Sequence, residues 1–232
     1  MQDAHFVSKA FAKIARRYVM ANHVMSLGVD WWWRRVVAAR VAALQPRRLL
    51  DLATGSGDLA AVIKARCPQL ELLAADFSLP MMREAQLRQI GELMAADALR
   101  LPLADGSFDV VTVAFGLRNM ASWPTALGEM RRVLKPGGRL LVLDFSLPTT
   151  AWIRRPYLGY LKRIMPRIGG WLTGQREAYE YLCSSIEKFP SGQQMVELMQ
   201  SCGFGEVKVV PLTLGVACLY EAGLRRDQEP MS

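Results

Sequence analysis

The chain has 232 residues, 51% of them hydrophobic and 22% charged. That balance excludes a mostly disordered polypeptide, and the length suffices to bury a core without metals or disulfides. The 29 Lys+Arg against 21 Asp+Glu leave a net charge of +8, which favours an anionic partner such as nucleic acid, a membrane surface or a phosphorylated substrate.

No apolar run approaches the roughly 18 residues of a membrane span, and no signal-peptide core opens the chain. Cys67, Cys183, Cys202 and Cys218 form no CxxC pair, so a disulfide framework is not expected and a reduced, cytoplasmic protein is. The only histidines, His5 and His23, give no basis for a His-based metal site, and no metal is expected.

The charge is uneven along the chain. Residues 1–50 carry nine Lys/Arg against Asp3 and Asp30, a net +7. Residues 151–190 carry seven against Glu177, Glu180 and Glu187, a net +4, so the rest of the chain is net −3. The basic character belongs to the flanks.

From residue 47 apolar runs alternate with helix-like stretches. The predicted strands are 48–53, 71–76, 92–96, 108–115 and 139–145. They are nearly continuously apolar, as strands covered on both faces of a parallel sheet must be. The intervening helices are predicted at 57–66, 79–90 and 122–134, and Lys135-Pro136-Gly137-Gly138 stops the last of them before its strand. A helix at 191–201 precedes two strands, 206–212 and 215–221, too close in sequence for anything but an antiparallel hairpin at the sheet edge. The implied fold is α/β, a doubly wound Rossmann-like sheet closed by that hairpin, with an N-terminal helical segment and a helical insertion near 150–190. A parallel sheet finished in this way is typical of S-adenosylmethionine (SAM) methyltransferases.

The sharpest local feature is Asp51-Leu52-Ala53-Thr54-Gly55-Ser56-Gly57-Asp58, at the end of the first strand and the start of a helix. Glycines there let the backbone approach a ligand closely. Gly55 to Ala60 also fits the dinucleotide pattern GxGxxG/A, which alone is a weak signal. Charge separates the two ligands. A dinucleotide would bring an anionic pyrophosphate onto the loop, which Asp51 and Asp58 repel. SAM brings a sulfonium and an ammonium, which carboxylates favour. The loop also matches the methyltransferase form D-x-G-x-G-x-G with Ala53 at the first glycine.

Asp76 ends the second strand about 20 residues past the loop, where a carboxylate accepts from ribose hydroxyls. Asp97, with Ala98, ends the third, where it can receive the adenine amino group. Each Asp alone also reads as a solvated loop residue or a helix cap. Acids at three successive strand ends favour a site.

After the fourth strand comes Phe115-Gly116-Leu117-Arg118-Asn119, which faces the crevice above the strand ends. The chain has no (N/D)PP(Y/F) motif there, as base amino methyltransferases have, and no cysteine placed for methylation of cytosine at C5. These absences weaken the nucleic-acid reading, and no nucleic-acid partner is expected.

Over roughly residues 6–222 the chain resembles the menaquinone/ubiquinone biosynthesis C-methyltransferases, the UbiE/MenG family. Tyr18-Val-Met-Ala-Asn22-His-Val-Met-Ser26-Leu-Gly28 is similar to the family's N-terminal YDxMNxxMSxG signature, and Phe115 to Asn119 matches its FGLRN. Arg132 to Ser146 resembles the second signature. Tyr179-Glu-Tyr-Leu and Ser185-Ile-Glu-Lys-Phe-Pro190 resemble its C-terminal stretch. The chain departs from the family at Val19, Ala21, Asp30, Ala114 and Asp144.

The resemblance implies one SAM-dependent methyltransferase domain. It comprises an N-terminal helical lid (1–45), a SAM-binding core (46–146), a helical insertion (147–190) and a final helix with the edge hairpin (191–222). It implies SAM as cofactor, with contacts at Ser56, Asp76, Asp97 and Ala98 beside Asp51, Gly55 and Gly57, and a lipophilic quinol as substrate.

The chemistry it implies is attack by a quinol ring carbon on the SAM methyl. Arg118, too basic to take a proton, would stabilise the developing phenolate, Asn119 would orient the ring oxygen or a water, and Tyr18 would add a hydroxyl from the closing segment. Other readings stay open: a methyltransferase of another small phenolic or lipophilic acceptor, an RNA methyltransferase, or an idle SAM-binding partner subunit.

Residues 152–172 interleave aromatics and bases, with Pro156 and Pro166 breaking the segment into short helical pieces. Such a segment fits an anionic membrane surface, making the protein peripheral at the membrane's inner face, and fits equally a cap over the active site. Of Trp31, Trp32 and Trp33 at least one is expected in the core, with Arg34 and Arg35 on a solvated face. A homodimer stays open.

Overall fold

A computed structural model of the protein describes residues 28–173 and 176–224. Seven strands form one sheet: β1 (Arg48–Leu52), β2 (Glu71–Asp76), β3 (Glu92–Ala95), β4 (Phe108–Ala114), β5 (Leu134–Phe145), β6 (Phe204–Leu212) and β7 (Ala217–Leu224). Their order is β3-β2-β1-β4-β5-β7-β6. The pairings among the first five are parallel, whereas β7 runs antiparallel to both β5 and β6. The doubly wound α/β sheet with an antiparallel edge hairpin is thus the fold observed, and the strand order reverses between β1 and β4, where a crevice opens above the strand ends.

The continuous apolar runs are explained by burial on both faces. Leu50, Val111, Val113, Leu140 and Val142 face one layer, packed with Met130 and Val133 of α4 (Trp123–Val133) and Met195 and Met199 of α8 (Gln193–Ser201). Their neighbours Leu49, Val110, Leu141 and Leu143 face the other, with Trp33, Val37 and Val41 of α1 (Val29–Leu44) and Ile63 of α2 (Asp58–Arg66). Each strand feeds both layers because successive side chains point to opposite faces. A smaller cluster, Leu161, Met165, Leu182, Cys183 and Ile186, lies where the 147–190 helices meet Phe145 and Leu147.

Besides shifts of a few residues at other element ends, including both hairpin strands and the helix before them, three differences from the sequence reading have a clear physical cause. The helix expected over 79–90 ends at Gln86, as α3 (Leu79–Gln86), because the chain turns through positive φ at Gln89 (52°) and Gly91 (131°). A Cβ at Gly91 would lie 2.6 Å from the Leu72 carbonyl oxygen, so that approach to β2 requires glycine. Strand β5 begins at Leu134, not 139. Lys135 to Gly138 form an irregularity within the strand, where pairing jumps from Phe108↔Leu134 to Val110↔Arg139. Thirdly, Pro156 does not end a helix. It lies inside α5 (Ala151–Gly159), which runs on through a single π turn (Tyr160–Ile164) into α6 (Met165–Thr173), with Pro166 in the first turn of α6. The wider π turn takes up the register change in an otherwise continuous helical run. Helix α7 (Arg176–Lys188) follows.

Among the described residues no helix is long and apolar enough to cross a membrane. Tyr18, Val19 and Ala21, and with them most of the expected 1–45 lid, lie outside the described residues.

Candidate active site

The crevice above the carboxyl ends of β1, β2, β3 and β4 holds a cavity of about 290 Å³. Every described residue marked out as cofactor-binding, except Gly57, lines it: Asp51, Gly55, Ser56, Asp76, Asp97 and Ala98. Gly57 is not in the lining and caps the start of α2, with φ 78°. A Cβ there would stand 2.6 Å from Ile90 Cδ1, so glycine serves both the turn and the packing.

Asp51, 1% exposed at the end of β1, accepts hydrogen bonds from the Thr54 and Thr112 hydroxyls, each at 2.6 Å. Burial outweighs those two bonds and pushes its carboxyl up to about 6. Asp76 accepts from the backbone N–H of Gly55 (2.8 Å) and of Ser78 (2.7 Å), so one carboxylate staples the glycine loop to the end of β2. Burial holds its carboxyl above the usual range as well. Asp97 accepts from the Leu99 N–H at 2.9 Å. The loop beyond it is pinned from α4: the Leu101 N–H donates to Glu129 (2.7 Å), and Arg132 donates to the Leu101 carbonyl (2.9 Å). Ser56 donates to Asp58 (2.7 Å), which also pairs with Arg88 (2.6 Å). Asp58 is therefore neutralised locally, whereas the hydrogen bonds to Asp51 come from uncharged hydroxyls.

The loop after β4 meets the glycine loop face to face. A Cβ at Gly116 would stand 2.5 Å from the Ala53 Cβ. Ala53 itself holds a left-handed backbone (φ 53°), which explains why the methyltransferase pattern has glycine there. Phe115 is also left-handed (φ 57°) and packs on Phe145 with ring centroids 4.8 Å apart. Its carbonyl accepts from Arg118 at 2.8 Å and from the Asn119 amide at 3.4 Å.

The three expected catalytic residues do not share one position. Asn119 lines the cavity. Arg118 does not: its side chain is 1% exposed and donates to Asp144 of β5 at 2.7 Å. Tyr18 lies outside the described residues.

Sequence reasoning missed Arg34, which lines the cavity with a side chain only 12% exposed. Arg34 and Arg35 do not form one solvated face, although the expectation of at least one core tryptophan holds, with Trp33 at 2% exposure. The signal was available. Buried Asp30, Trp33, Val37 and Val41 follow helical spacing, and position 34 borders that stripe. Phe115 of the FGLRN motif gives the cavity part of its apolar wall, and Met81, Leu99 and Met120 add to it, a contribution no motif marked.

The residues present fit SAM on observations of the cavity itself. Carboxylates stand at the three strand ends where a cation and hydroxyls are to be met, and Gly57 and Gly116 sit too close to their neighbours for a further Cβ. Comparison with known proteins agrees. The model of the ubiE/COQ5 methyltransferase family matches residues 1–223. A demethylmenaquinone methyltransferase of Thermus thermophilus is 44% identical over 215 residues, 90% of this chain and 97% of the relative. A protein of Syntrophotalea carbinolica named ubiquinone/menaquinone biosynthesis C-methyltransferase UbiE is 40% identical, covering 90% of each chain. A solved SAM-dependent methyltransferase of Thermotoga maritima shares the fold at 19% identity, with a TM-score of 0.68 over 93% of this chain and 98% of that one. A family match of this extent, joined to the strand-end carboxylates, means that the chain belongs to the ubiE/COQ5 methyltransferase family and is a SAM-dependent methyltransferase.

Proposed function

We propose that the protein methylates a ring carbon of a polyprenylated quinol, with the naphthoquinol precursor of menaquinone as its substrate and SAM bound at Asp51, Gly55, Ser56, Asp76, Asp97 and Ala98. The observation that carries the reading is the cavity's composition: strand-end carboxylates lining it together with the apolar Met81, Leu99, Phe115 and Met120 and, as the one side-chain amide among the described lining residues, Asn119. The Thermus thermophilus relative's name supports the naphthoquinol over a benzoquinol.

When bound, SAM supplies an electrophilic methyl on its sulfonium. The residues of this chain do the rest. Asp51 and its neighbours favour the positive charge, the more strongly as bound ligands displace water from the crevice. Asn119 holds the ring oxygen, whose proton passes to a water in the cavity, so that the adjacent ring carbon becomes nucleophilic. With SAM bound, that carbon would take the methyl as the sulfur–methyl bond breaks, and it would then release its own hydrogen as a proton to solvent, restoring the aromatic ring. Arg118 acts from beneath as a positioning residue. Its bonds to the Phe115 carbonyl and to Asp144 fix the turn that carries Asn119.

The prenyl tail of such a substrate resides in a bilayer. We propose that the helical run 151–173 rests on an anionic membrane surface. Trp152, Ile164, Ile168 and Trp171 are exposed apolar side chains, and the last three follow i, i+4, i+7 spacing. Arg154, Arg155, Lys162, Arg163 and Arg167 accompany them, with no Asp or Glu from 147 to 173.

The test is methyl transfer from labelled SAM to a reduced lipid extract, with the product identified by mass. A methylated naphthoquinol supports the proposal. SAM binding without any lipid product defeats it.

A further inference from the structure

The cavity treats the two ends of a SAM molecule unequally. Its charged lining consists of Asp51, Asp76 and Asp97, with Asp58 already paired to Arg88, and, among the described residues, Arg34 as the one cation. Carboxylates account for the sulfonium, the ammonium and the ribose hydroxyls. They cannot account for the carboxylate of the methionine moiety, which they would repel.

Arg34 is built for that task. It reaches the cavity from α1, where Asp30, 4% exposed, pairs with its guanidinium from one turn earlier. The guanidinium also lies 5.5 Å from the centre of the Phe115 ring. One edge of the fork is thus fixed by Asp30 and one face lies over Phe115. Trp33, next to it on the helix, is locked by a 2.8 Å bond from its indole N–H to Thr213 Oγ1, which ties this stretch of α1 to the β6–β7 connection. A planar guanidinium held in this way suits bidentate recognition of a carboxylate. Its location fits the methionine end of SAM. Arg34 is close enough to Asp51 to interact with its charge, whereas the ribose and adenine positions, Asp76 and Asp97, lie at the ends of β2 and β3, further along the sheet.

We infer that Arg34, oriented by Asp30, binds the methionine carboxylate of SAM, so that α1 takes part in the cofactor site. The inference rests on the SAM reading above and deepens it.

Calorimetry with four ligands tests both separately. SAM and S-adenosylhomocysteine carry the carboxylate. Decarboxylated SAM keeps the sulfonium and the amine but lacks it, and 5′-methylthioadenosine lacks the whole amino-acid end. Arg34→Ala is expected to weaken SAM and S-adenosylhomocysteine about 10- to 100-fold, the loss of a charged hydrogen-bonded contact. Its affinity for decarboxylated SAM and methylthioadenosine is expected to stay at the wild-type value, which also shows that the variant folds with an intact site. Arg34→Lys is expected to recover part of the loss. Equal weakening of decarboxylated SAM and SAM would overturn the inference and make Arg34 a packing residue. An unchanged affinity for S-adenosylhomocysteine with a raised KM for the quinol would overturn it too, moving Arg34 to the acceptor. A wild-type protein that binds none of the four defeats the SAM reading itself.

Discussion

Arg118 and Asp144 form an ion pair at 2.7 Å in which neither side chain is more than 1% exposed. Two charges taken this far from water are costly unless they stay together, and removal of one partner leaves the other buried and uncompensated. Asp144 Oδ1 also accepts from the Phe145 N–H at 2.8 Å, whereas among the described residues Oδ2 has no hydrogen-bond partner, so the Arg118 guanidinium is the charge that offsets its burial. Arg118→Met is expected to destabilise the protein by about 3–5 kcal/mol in urea unfolding. The double variant Arg118→Met/Asp144→Leu is expected to recover much of that loss, and a double-mutant cycle without coupling would contradict the account.

Asp51 gives the protein a pH signature. Its carboxyl rises from the ordinary 3.8 to about 6 on folding. Between those values the folded protein holds a proton that the unfolded chain releases. The residue's contribution to stability therefore falls as pH rises through that window. Cation binding has the opposite sense, because a sulfonium favours the ionised carboxylate. SAM affinity is expected to fall as pH drops below about 6, approaching tenfold per pH unit, with Asp51→Asn flattening the profile. Titration calorimetry from pH 5 to 8 reads both variants.

The contact between the glycine loop and the FGLRN turn leaves no slack. Gly116→Ala would bring a Cβ to 2.5 Å from Ala53 Cβ and 3.3 Å from Val113 Cγ2. The expected cost is about 1–3 kcal/mol of stability, measured by chemical unfolding, together with weaker SAM binding as the loops part. The second variant Ala53→Gly/Gly116→Ala relieves the first clash and is expected to regain part of both losses.

Trp171 is 85% exposed and Trp152 75%. Trp171→Ser is expected to weaken sedimentation with vesicles containing anionic phosphatidylglycerol about tenfold, and raised salt to weaken the wild type. An unchanged partition for Trp152→Ser/Trp171→Ser would remove the membrane from the proposal and leave the segment as a cap.

Much of this was legible in the residues because the sheet imposes strong constraints. A strand buried on both faces must be apolar throughout, so β1, β2 and β4 announce themselves, and an acid at the end of such a strand stands out, as Asp51 and Asp76 do. The parts that were not legible depend on geometry that short patterns do not encode. Arg118 reads as a site residue from its motif, yet its partner Asp144 lies 26 positions away and draws it beneath the cavity. Arg34 reads as surface charge beside Arg35, yet one step around the helix turns it inward. Pro156 reads as a helix break, yet the π turn that follows absorbs the disturbance. The early start of β5 is hidden because Pro136, Gly137 and Gly138 look like a turn while serving as an irregularity within a strand.

The central claim is that the crevice at Asp51, Asp76, Asp97 and Asn119 performs ring-carbon methylation of a quinol. The most direct measurement is single-turnover transfer of labelled methyl from SAM to purified demethylmenaquinone, run once with the ring reduced and once with it oxidised. A ring carbon is nucleophilic only when the ring carries hydroxyls that can lose a proton, so label is expected in the reduced substrate and none in the oxidised one. Equal transfer to the oxidised ring, or none to the reduced ring by a protein that binds SAM, would contradict the account.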